Sequence, residues 1–536
     1  MGLKPFLGLR GNALLRAALF LVVCPTFTCY GYNMSVAGGL LTLDAFNDQF
    51  PRMDTIHTSG ALQQENSQIQ DRMFLGTVIA LFTVGGIFGA LSCVYFGDRW
   101  GRRKVIFITN FITIIGAVLM ATSFQFAQFI IARLVLGLGI GGYVATVPVW
   151  QSEISPAHMR GSNVVTDGIF VGSGVALALW IDLGFYFVKG NSVIDGSVSW
   201  RFPLAFQAIM PATAMIFITM LPESPRWLIK TGNVAQGRKV LAALLDDEED
   251  SDIVDDNVRD IEASLVHCGS GAWTDMFTNG EQRLFHRAYL AATGQMFQQM
   301  CGVNVITYYA TTIFEQYLGM NPVNSRILAA AMPLTQPFGG YLAYYTIDRL
   351  GRRPLLLWSA GALAVCMAGL AGTTSPAAGD NTGALAMAVV FLYVFQFIST
   401  IGYAGLTFLY AAEIAPLQIR AAVNAVSTAT VWSFNFLLAQ LTPIGFATIG
   451  NNFYIVFAVI NALIIPSVYF FFPETKERSL EEIDEIFARS KNIFDPPRVA
   501  RAMQRKKKMV HIGEPPSETG DNTESSDDAL KVESKA

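Results

Sequence analysis

The sequence predicts an all-α membrane protein, with about twelve transmembrane helices in two six-helix bundles. Three observations carry this expectation. The chain of 536 residues is 52% hydrophobic and only 15% charged, with 39 Phe. A soluble domain carries roughly 25% charged residues, so lipid is the main solvent here. Apolar runs long enough to cross a hydrocarbon core, about 20 residues each, recur along the chain. Finally, three short charged motifs occur twice, in the same order, once in each half.

The apolar runs cover 17–41, 73–96, 104–124, 127–149, 163–187, 202–221, 286–316, 327–347, 354–372, 384–410, 421–446 and 453–472. Lys4, Arg10 and Arg16 precede the first of them. A signal peptide starts the same way, but this run continues to Leu41 with no cleavage site, too long for an h-region. It is therefore read as the first transmembrane helix. Loops then alternate in charge. Arg99, Arg102, Arg103 and Lys104, then Arg160, then Arg349, Arg352 and Arg353, then Arg420 fall on one side, while connections 373–383 and 447–452 hold no Lys or Arg. The positive-inside rule places both termini in the cytoplasm, and the plasma membrane is the default location.

This gives four regions: an N-terminal bundle over 1–221, a cytoplasmic helical insert over 222–285, a C-terminal bundle over 286–472, and a cytoplasmic tail over 473–536. The insert carries an acidic run from Asp246 to Asp250. In the tail, Arg505, Lys506, Lys507 and Lys508 suit anionic membrane lipid. Beyond Gly513 its Ser, Asp and Glu content reads as disorder. No basic block is large enough for nucleic acid, the six Cys show neither zinc spacing nor a disulfide framework, and no phosphate-binding GxxxxGK[ST] loop is present. No cofactor, no metal and no catalytic constellation is read, so an enzyme is not expected. A monomer is.

The repeats relate the halves. Asp98-Arg99-Trp100-Gly101-Arg102-Arg103 returns 250 residues later as Asp348-Arg349-Leu350-Gly351-Arg352-Arg353. Glu153-Ile154-Ser155-Pro156 with Arg160 returns after 260 residues as Glu413-Ile414-Ala415-Pro416 with Arg420. Pro222-Glu223-Ser224-Pro225 is echoed by Pro473-Glu474-Thr475-Lys476. Duplicated halves meeting around a midplane site are a transporter plan. Asp98, Arg102, Glu153, Arg160, Asp348, Arg352, Glu413 and Arg420 are candidates for a cytoplasmic gate, because carboxylates and Arg forks at helix ends pair across helices. Such pairs are expected to hold the two bundles closed on the inside. The plainer alternative is that the arginines only set topology.

The seventh run carries Gln295, Gln298, Gln299, Gly302, Asn304, Tyr308 and Tyr309. At helical spacing, Gln295, Gln298, Gln299, Gly302 and Tyr309 share one face. Asn304 joins them if Gly302 lets the helix unwind. Amides offer donors and acceptors to hydroxyl groups without net charge; alternatively they glue helices together.

Gln298-Gln299-Met300-Cys301-Gly302-Val303-Asn304 with Tyr308-Tyr309 resembles the seventh-helix motif of sugar porters of the major facilitator superfamily. Pro222-Glu223-Ser224-Pro225-Arg226-Trp227-Leu228, Pro473-Glu474-Thr475-Lys476 and the paired Asp-Arg-x-Gly-Arg-Arg turns resemble that family's other signatures. The acidic insert and Leu480-Glu481-Glu482-Ile483-Asp484 look most like fungal hexose-type members. The resemblance covers residues 14–490 and implies the major facilitator fold. By it, Gln298, Gln299, Asn304, Gln336 and Asn435 contact sugar. Phe408 stands where many members have a covering Trp, Thr400 where an acid is common, and Gly168 where a Gln is common. Asn33 replaces the Asp that faces an Arg, here Arg133, in proton-coupled members, which implies uniport.

Asp167, in mid-membrane, complicates that inference, because an intramembrane carboxylate is costly and usually functional. Either it faces Arg133 and carries coupling protons, or it lies wet or hydrogen-bonded near the cytoplasmic end. Asp182, at the outer end of the same helix, is expected to be solvated. The function expected is alternating-access transport of a monosaccharide, hexose or pentose, as facilitator or proton symporter. Another solute (sugar acid, disaccharide or polyol) and a non-transporting sugar sensor are the alternatives. An anionic substrate would want a free cation in the cavity, and Arg133 is the candidate.

Overall fold

The computed structural model describes residues 5–40, 43–50, 65–155, 160–187, 193–267, 273–280, 282–375, 381–416, 419–476, 478 and 480–503. The tail beyond Met503, with its expected lipid-binding cluster and disorder, lies outside the described residues. So does the side chain of Arg160.

Among the described residues every regular element is helical. Among the described residues, nine segments are long and apolar enough to cross a membrane. Seven of them are α1 (Gly11–Ala37), α2 (Ala80–Trp100), α3 (Arg102–Ala121), α4 (Phe126–Ile154), α5 (Thr166–Tyr186, in a helix beginning at Arg160), α6 (Ser197–Ile218) and α9 (Arg352–Thr373). The eighth, Thr382–Ile414, is α10; the ninth, Ala422–Phe471, holds both α11 (Arg420–Ile449) and α12 (Phe453–Phe471). The two remaining expected spans are broken helices. One is α7, Leu284–Met300 followed by Val303–Thr312, and the other is α8, Pro322–Ala331 and Thr335–Leu350 joined by a 3-10 turn. Each is interrupted at an expected binding segment, where polar residues and non-helical backbone lower apolar continuity.

Helices α1–α6 and α7–α12 meet along two seams. Helix α2 packs on α11, and α5 packs on α8. Small residues let the backbones approach, as is usual between membrane helices. A β-carbon at Gly172 of α5 would lie 2.5 Å from the Gln336 β-carbon of α8. At one end of the α5–α8 seam, Val175, Leu179, Leu183 and Ala330 form a separate apolar cluster. The first three recur every four residues on one helix face.

The segment after α6 folds as Pro225–Lys230, Val234–Leu245 and Asp252–His267, around Ile229, Leu241, Ala242, Val254 and Val258. Ser224 caps the first helix, its Oγ accepting from Trp227 N at 3.2 Å. Trp227 Nε1 donates to the Asp98 carbonyl at 2.7 Å, and Lys230 pairs with the Asp98 carboxylate at 3.1 Å, which fixes this helix against the α2–α3 turn. Past α12, Leu480–Arg489 buries Ile483 and Phe487, and its Asp484 pairs with Arg287 of α7.

Candidate functional site

A cavity of about 60 Å³ lies between the halves. Its N-terminal wall is Tyr30 and Met34 of α1 with Gly168, Val171 and Val175 of α5; α7, α8 and α10 supply the rest. Gln298, Gln299, Asn304, Gln336 and Phe408 all line it, with Thr307, Ser399 and Thr400 adding hydroxyl groups, and none of the lining residues is charged. Backbone breaks place these groups. Gly302 adopts φ 100°, ending one helical piece of α7 and starting the next, so Asn304 turns back toward the cavity and its amide donates to Gln299 Oε1. A side chain at 302 would be strained by that φ, and its β-carbon would meet Met367 Cε at 2.7 Å. In α10, Thr400–Ala404 forms a π turn, a distortion common at functional sites. The Ala404 carbonyl there accepts from Gln298 Nε2 at 3.3 Å. Gln298 Oε1 is buried without a partner, and Gln336 makes no protein hydrogen bond among the described residues.

The break at Gly302 splits the expected polar face. Gln295 lies off the cavity, accepting from Thr407 Oγ1 at 3.1 Å, and Tyr309 donates to the Ala439 carbonyl at 3.0 Å. Asn435 is not a lining residue either. It is fully buried, and its Oδ1 accepts from Tyr308 at 2.8 Å, so it stands behind the site. Sequence reasoning missed Trp432, which packs edge-on against Tyr30 and Phe82 and carries α11 into the N-terminal half. A lone Trp in a helix rich in Ser, Thr and Asn was the available signal.

The two arginine motifs build matching networks. Arg102 donates from Nε and Nη2 to the two Glu153 oxygens at 3.0 and 3.1 Å, and from Nη1 to Asp98 at 3.0 Å. Arg352 repeats this with Glu413, at 3.1 and 2.7 Å, and Asp348, at 3.0 Å. Gly101 and Gly351 carry no side chain to cap α3 and α9. The carboxylates of Glu223 and Glu474 do so instead, accepting from the backbone of Arg102 and Arg103, and of Arg352 and Arg353. Negative charge belongs at these orphan N–H groups. Burial pushes the Glu223 carboxyl above its ordinary range, and the backbone donors pull it back.

This geometry corrects one expectation. Each fork pairs with an acid in its own half, Arg102 on α3 with Glu153 on α4 and Arg352 on α9 with Glu413 on α10, so neither bridges the two bundles. Arg420 is turned to the Ala415 carbonyl, at 3.3 Å, within its own turn.

A second correction concerns Asp167. It does not face Arg133. Helices α4 and α5 run antiparallel, and Asp167 lies beside Gln151 near the end of α4, 18 residues from Arg133, or about 27 Å along the helix. Arg133 is buried over the rings of Phe82 and Phe129, at 5.5 and 5.7 Å, near Tyr308. Asn33 donates to the Cys29 carbonyl at 3.0 Å instead of meeting Arg133. Asp182 is not solvated. It is 6% exposed, within electrostatic reach of Arg326 on α8, whose guanidinium sits 4.1 Å from the centre of the Tyr186 ring.

Comparison with known proteins agrees with the motifs. The family model described as sugar (and other) transporter matches residues 19–487. Sugar transporter STL1 of Saccharomyces cerevisiae is 33% identical over 494 residues, covering 90% of this chain and 83% of that one. MFS-type transporter oryC of Aspergillus oryzae is 34% identical over 493 residues, covering 90% and 87%. Low-affinity glucose transporter HXT3 of S. cerevisiae is 29% identical, covering 81% and 77%. Among solved structures, the proton:xylose symporter XylE bound to 6-bromo-6-deoxy-D-glucose superposes with a TM-score of 0.75 at 23% identity, covering 89% of this chain and 100% of that one. The inward-open form of XylE from E. coli gives a TM-score of 0.65 at 23% identity, covering 87% and 99%. With two broken helices meeting two paired arginine turns in one fold, and a family model spanning most of its length, the chain belongs to the sugar transporter family of the major facilitator superfamily.

Proposed function

We propose that this protein moves a neutral monosaccharide, a hexose or a pentose, across the membrane by alternating access, with Gln298, Gln299, Asn304 and Gln336 as its hydrogen-bonding contacts. The observation that carries this reading is the cavity lining: amides and hydroxyls from both halves, aromatic walls from Tyr30, Tyr403 and Phe408, and no charge. Sugar hydroxyls need donors and acceptors in equal measure, and a net charge would go unmatched. A sugar acid fits poorly, since the nearby cation Arg133 is not a lining residue. The arginine-rich face is the cytoplasmic one in this reading, with both termini inside and the plasma membrane as the site of action. The Arg102 and Arg352 networks act as clamps within each half. Each fastens an interhelical turn to the end of a neighbouring helix, so that each half moves as one body.

The test is uptake of a labelled panel (hexoses, pentoses, a sugar acid, a disaccharide and a polyol) into cells lacking their own hexose carriers. Saturable uptake of at least one monosaccharide is expected, reduced severalfold by Asn304→Ala. Uptake confined to the sugar acid would overturn the reading.

A further inference from the structure

Beyond α12 the chain returns to the end of that helix as a built turn. Asn492-Ile493-Phe494-Asp495 is closed by the Asp495 carboxylate, whose Oδ2 accepts from the backbone of Lys491 at 3.0 Å and of Asn492 at 2.7 Å. A local side-chain acceptor of this kind fixes a turn without a core beneath it. A short helix follows, Pro496–Ala502, with Pro496, Pro497 and Ala500 buried. Arg478 holds its far end, donating from Nη2 to the Ala500 and Met503 carbonyls. The turn is therefore fastened on both sides. Yet its tip carries two large apolar side chains, Ile493 and Phe494, which are 54% and 52% exposed.

The place of this tip indicates what covers it. The Phe494 ring packs on the ring of Phe471, the last residue of α12, with centres 5.0 Å apart. Tyr469 and Phe470 of the same membrane-crossing helix are exposed and so face lipid. Aromatic residues at the end of a span mark the headgroup level. Ile493 and Phe494 thus continue the lipid-facing surface of α12 into the interface. Charge is a second, independent sign. Arg501 lies over the Tyr469 ring at 5.7 Å, and Arg353 of α9 lies over the same ring at 4.9 Å. Arg353 Nε is buried without a partner. Two guanidinium groups on one ring repel each other, and an anion between them would relieve that. Lys491 and Arg498 are exposed nearby in the chain. Described acids of this region are engaged elsewhere. Asp484 pairs with Arg287, Glu485 with Arg489, and Asp495 closes its own turn. Glu474, within electrostatic reach of Arg353, accepts from the backbone that starts α9.

We infer that this turn and the end of α12 form a docking site for anionic phospholipid. Ile493 and Phe494 enter the acyl boundary, while Arg498 and Arg501 hold headgroup phosphate with Lys491 beside them. Basic groups next to exposed apolar rings are the composition that binds the interface of an anionic membrane. A soluble acidic partner would match the charge and leave the apolar tip in water. A neutral lipid would match the tip and leave the cations without counter-charge. The occupant is thus a bilayer whose lipids carry net negative charge. This site is separate from the sugar contacts and independent of what is transported. It also ties the helix Leu480–Arg489, which is joined to α7 by the Asp484–Arg287 pair, to the membrane surface.

Hydrogen–deuterium exchange of the full-length protein in nanodiscs tests this. Backbone amides of 490–502 should exchange more slowly when phosphatidylserine is added to phosphatidylcholine discs. The slowing should be about fivefold or more, the attraction of one basic residue to an anionic surface. Arg498→Glu combined with Arg501→Glu should abolish the difference, although Arg505, Lys506, Lys507 and Lys508 remain in place. Ile493→Ser combined with Phe494→Ser should reduce it at least by half. Wild-type exchange in the membrane helices of both double variants shows that they are folded. Inorganic phosphate or glycerophosphoserine, added to protein in phosphatidylcholine discs, should give no protection. Equal exchange in the two kinds of disc would overturn the inference. So would protection that survives both double variants, which would assign it to the tail beyond Met503. Protection by either soluble anion alone would also overturn it, since the site would then need no membrane.

Discussion

Gly86 of α2 lies so close to the Trp432 indole of α11 that a β-carbon there would sit 2.6 Å from Trp432 Cδ2. This contact joins the halves directly behind Tyr30, a wall of the cavity between them. Gly86→Leu should therefore wedge the seam. Overpacking of this kind costs about 1–3 kcal/mol, so the arrangement with α2 packed on α11 should lose roughly 5- to 150-fold in population. Initial uptake rates, corrected for the amount of protein in the membrane, should fall at least several-fold. Gly86→Leu with wild-type rates would mean that Trp432 gives way freely.

Asn304 and Gln299 should act as one contact, because Asn304 donates to Gln299. Each alanine substitution should weaken sugar affinity by about 0.5–1.5 kcal/mol, the net worth of a neutral hydrogen bond. The double variant should cost less than the sum. Competition binding to purified protein measures the cycle. Full additivity would separate the two roles.

Glu153→Gln leaves the Arg102 guanidinium, 6% exposed, without its two-pronged partner. Breaking a buried pair costs about 3–5 kcal/mol, and Glu413→Gln should behave alike. Because the two networks share no side chain, their effects on thermal stability in detergent should add. A double variant no less stable than either single one would show that the halves do not hold these pairs separately.

Arg326→Gln removes a cation stacked on Tyr186 beside buried Asp182. Such a contact is worth about 0.5–2 kcal/mol, and here it closes the end of the α5–α8 seam opposite the arginine motifs. In a background with Leu179→Cys, labelling by an impermeant maleimide should rise severalfold when Arg326 is changed. Equal labelling would mean that the apolar cluster alone keeps this end shut.

Much of this architecture was legible in the sequence, since apolar run length and repeated charged turns answer to the bilayer and to duplication. Gly302 and Asn304 were legible too, because a glycine inside an amide-rich helix advertises its break. What failed was depth and partnership. Asp167 and Arg133 lie on antiparallel helices, each about seven residues from opposite ends; counting from the turns would have separated them. Asp182 read as solvated because its cover, Arg326, comes from the other half. The arginine forks read as bridges between halves because sequence marks both members of each pair without saying which helices touch. Asn435 had the right chemistry, but its Oδ1 is taken by the Tyr308 hydroxyl and it lies off the cavity.

In the proposed function a neutral sugar crosses through the cavity bounded by Gly168 and Gln336. Gly168 backs onto Ala404, where an added β-carbon would already lie 3.1 Å from the Ala404 side chain. The most direct test is exchange of a labelled monosaccharide by purified protein in liposomes, wild type against Gly168→Leu, with folding checked by thermal stability. Exchange by the wild type is expected, with its loss, by at least tenfold, in a stable Gly168→Leu protein. Undiminished exchange with the cavity filled would contradict it.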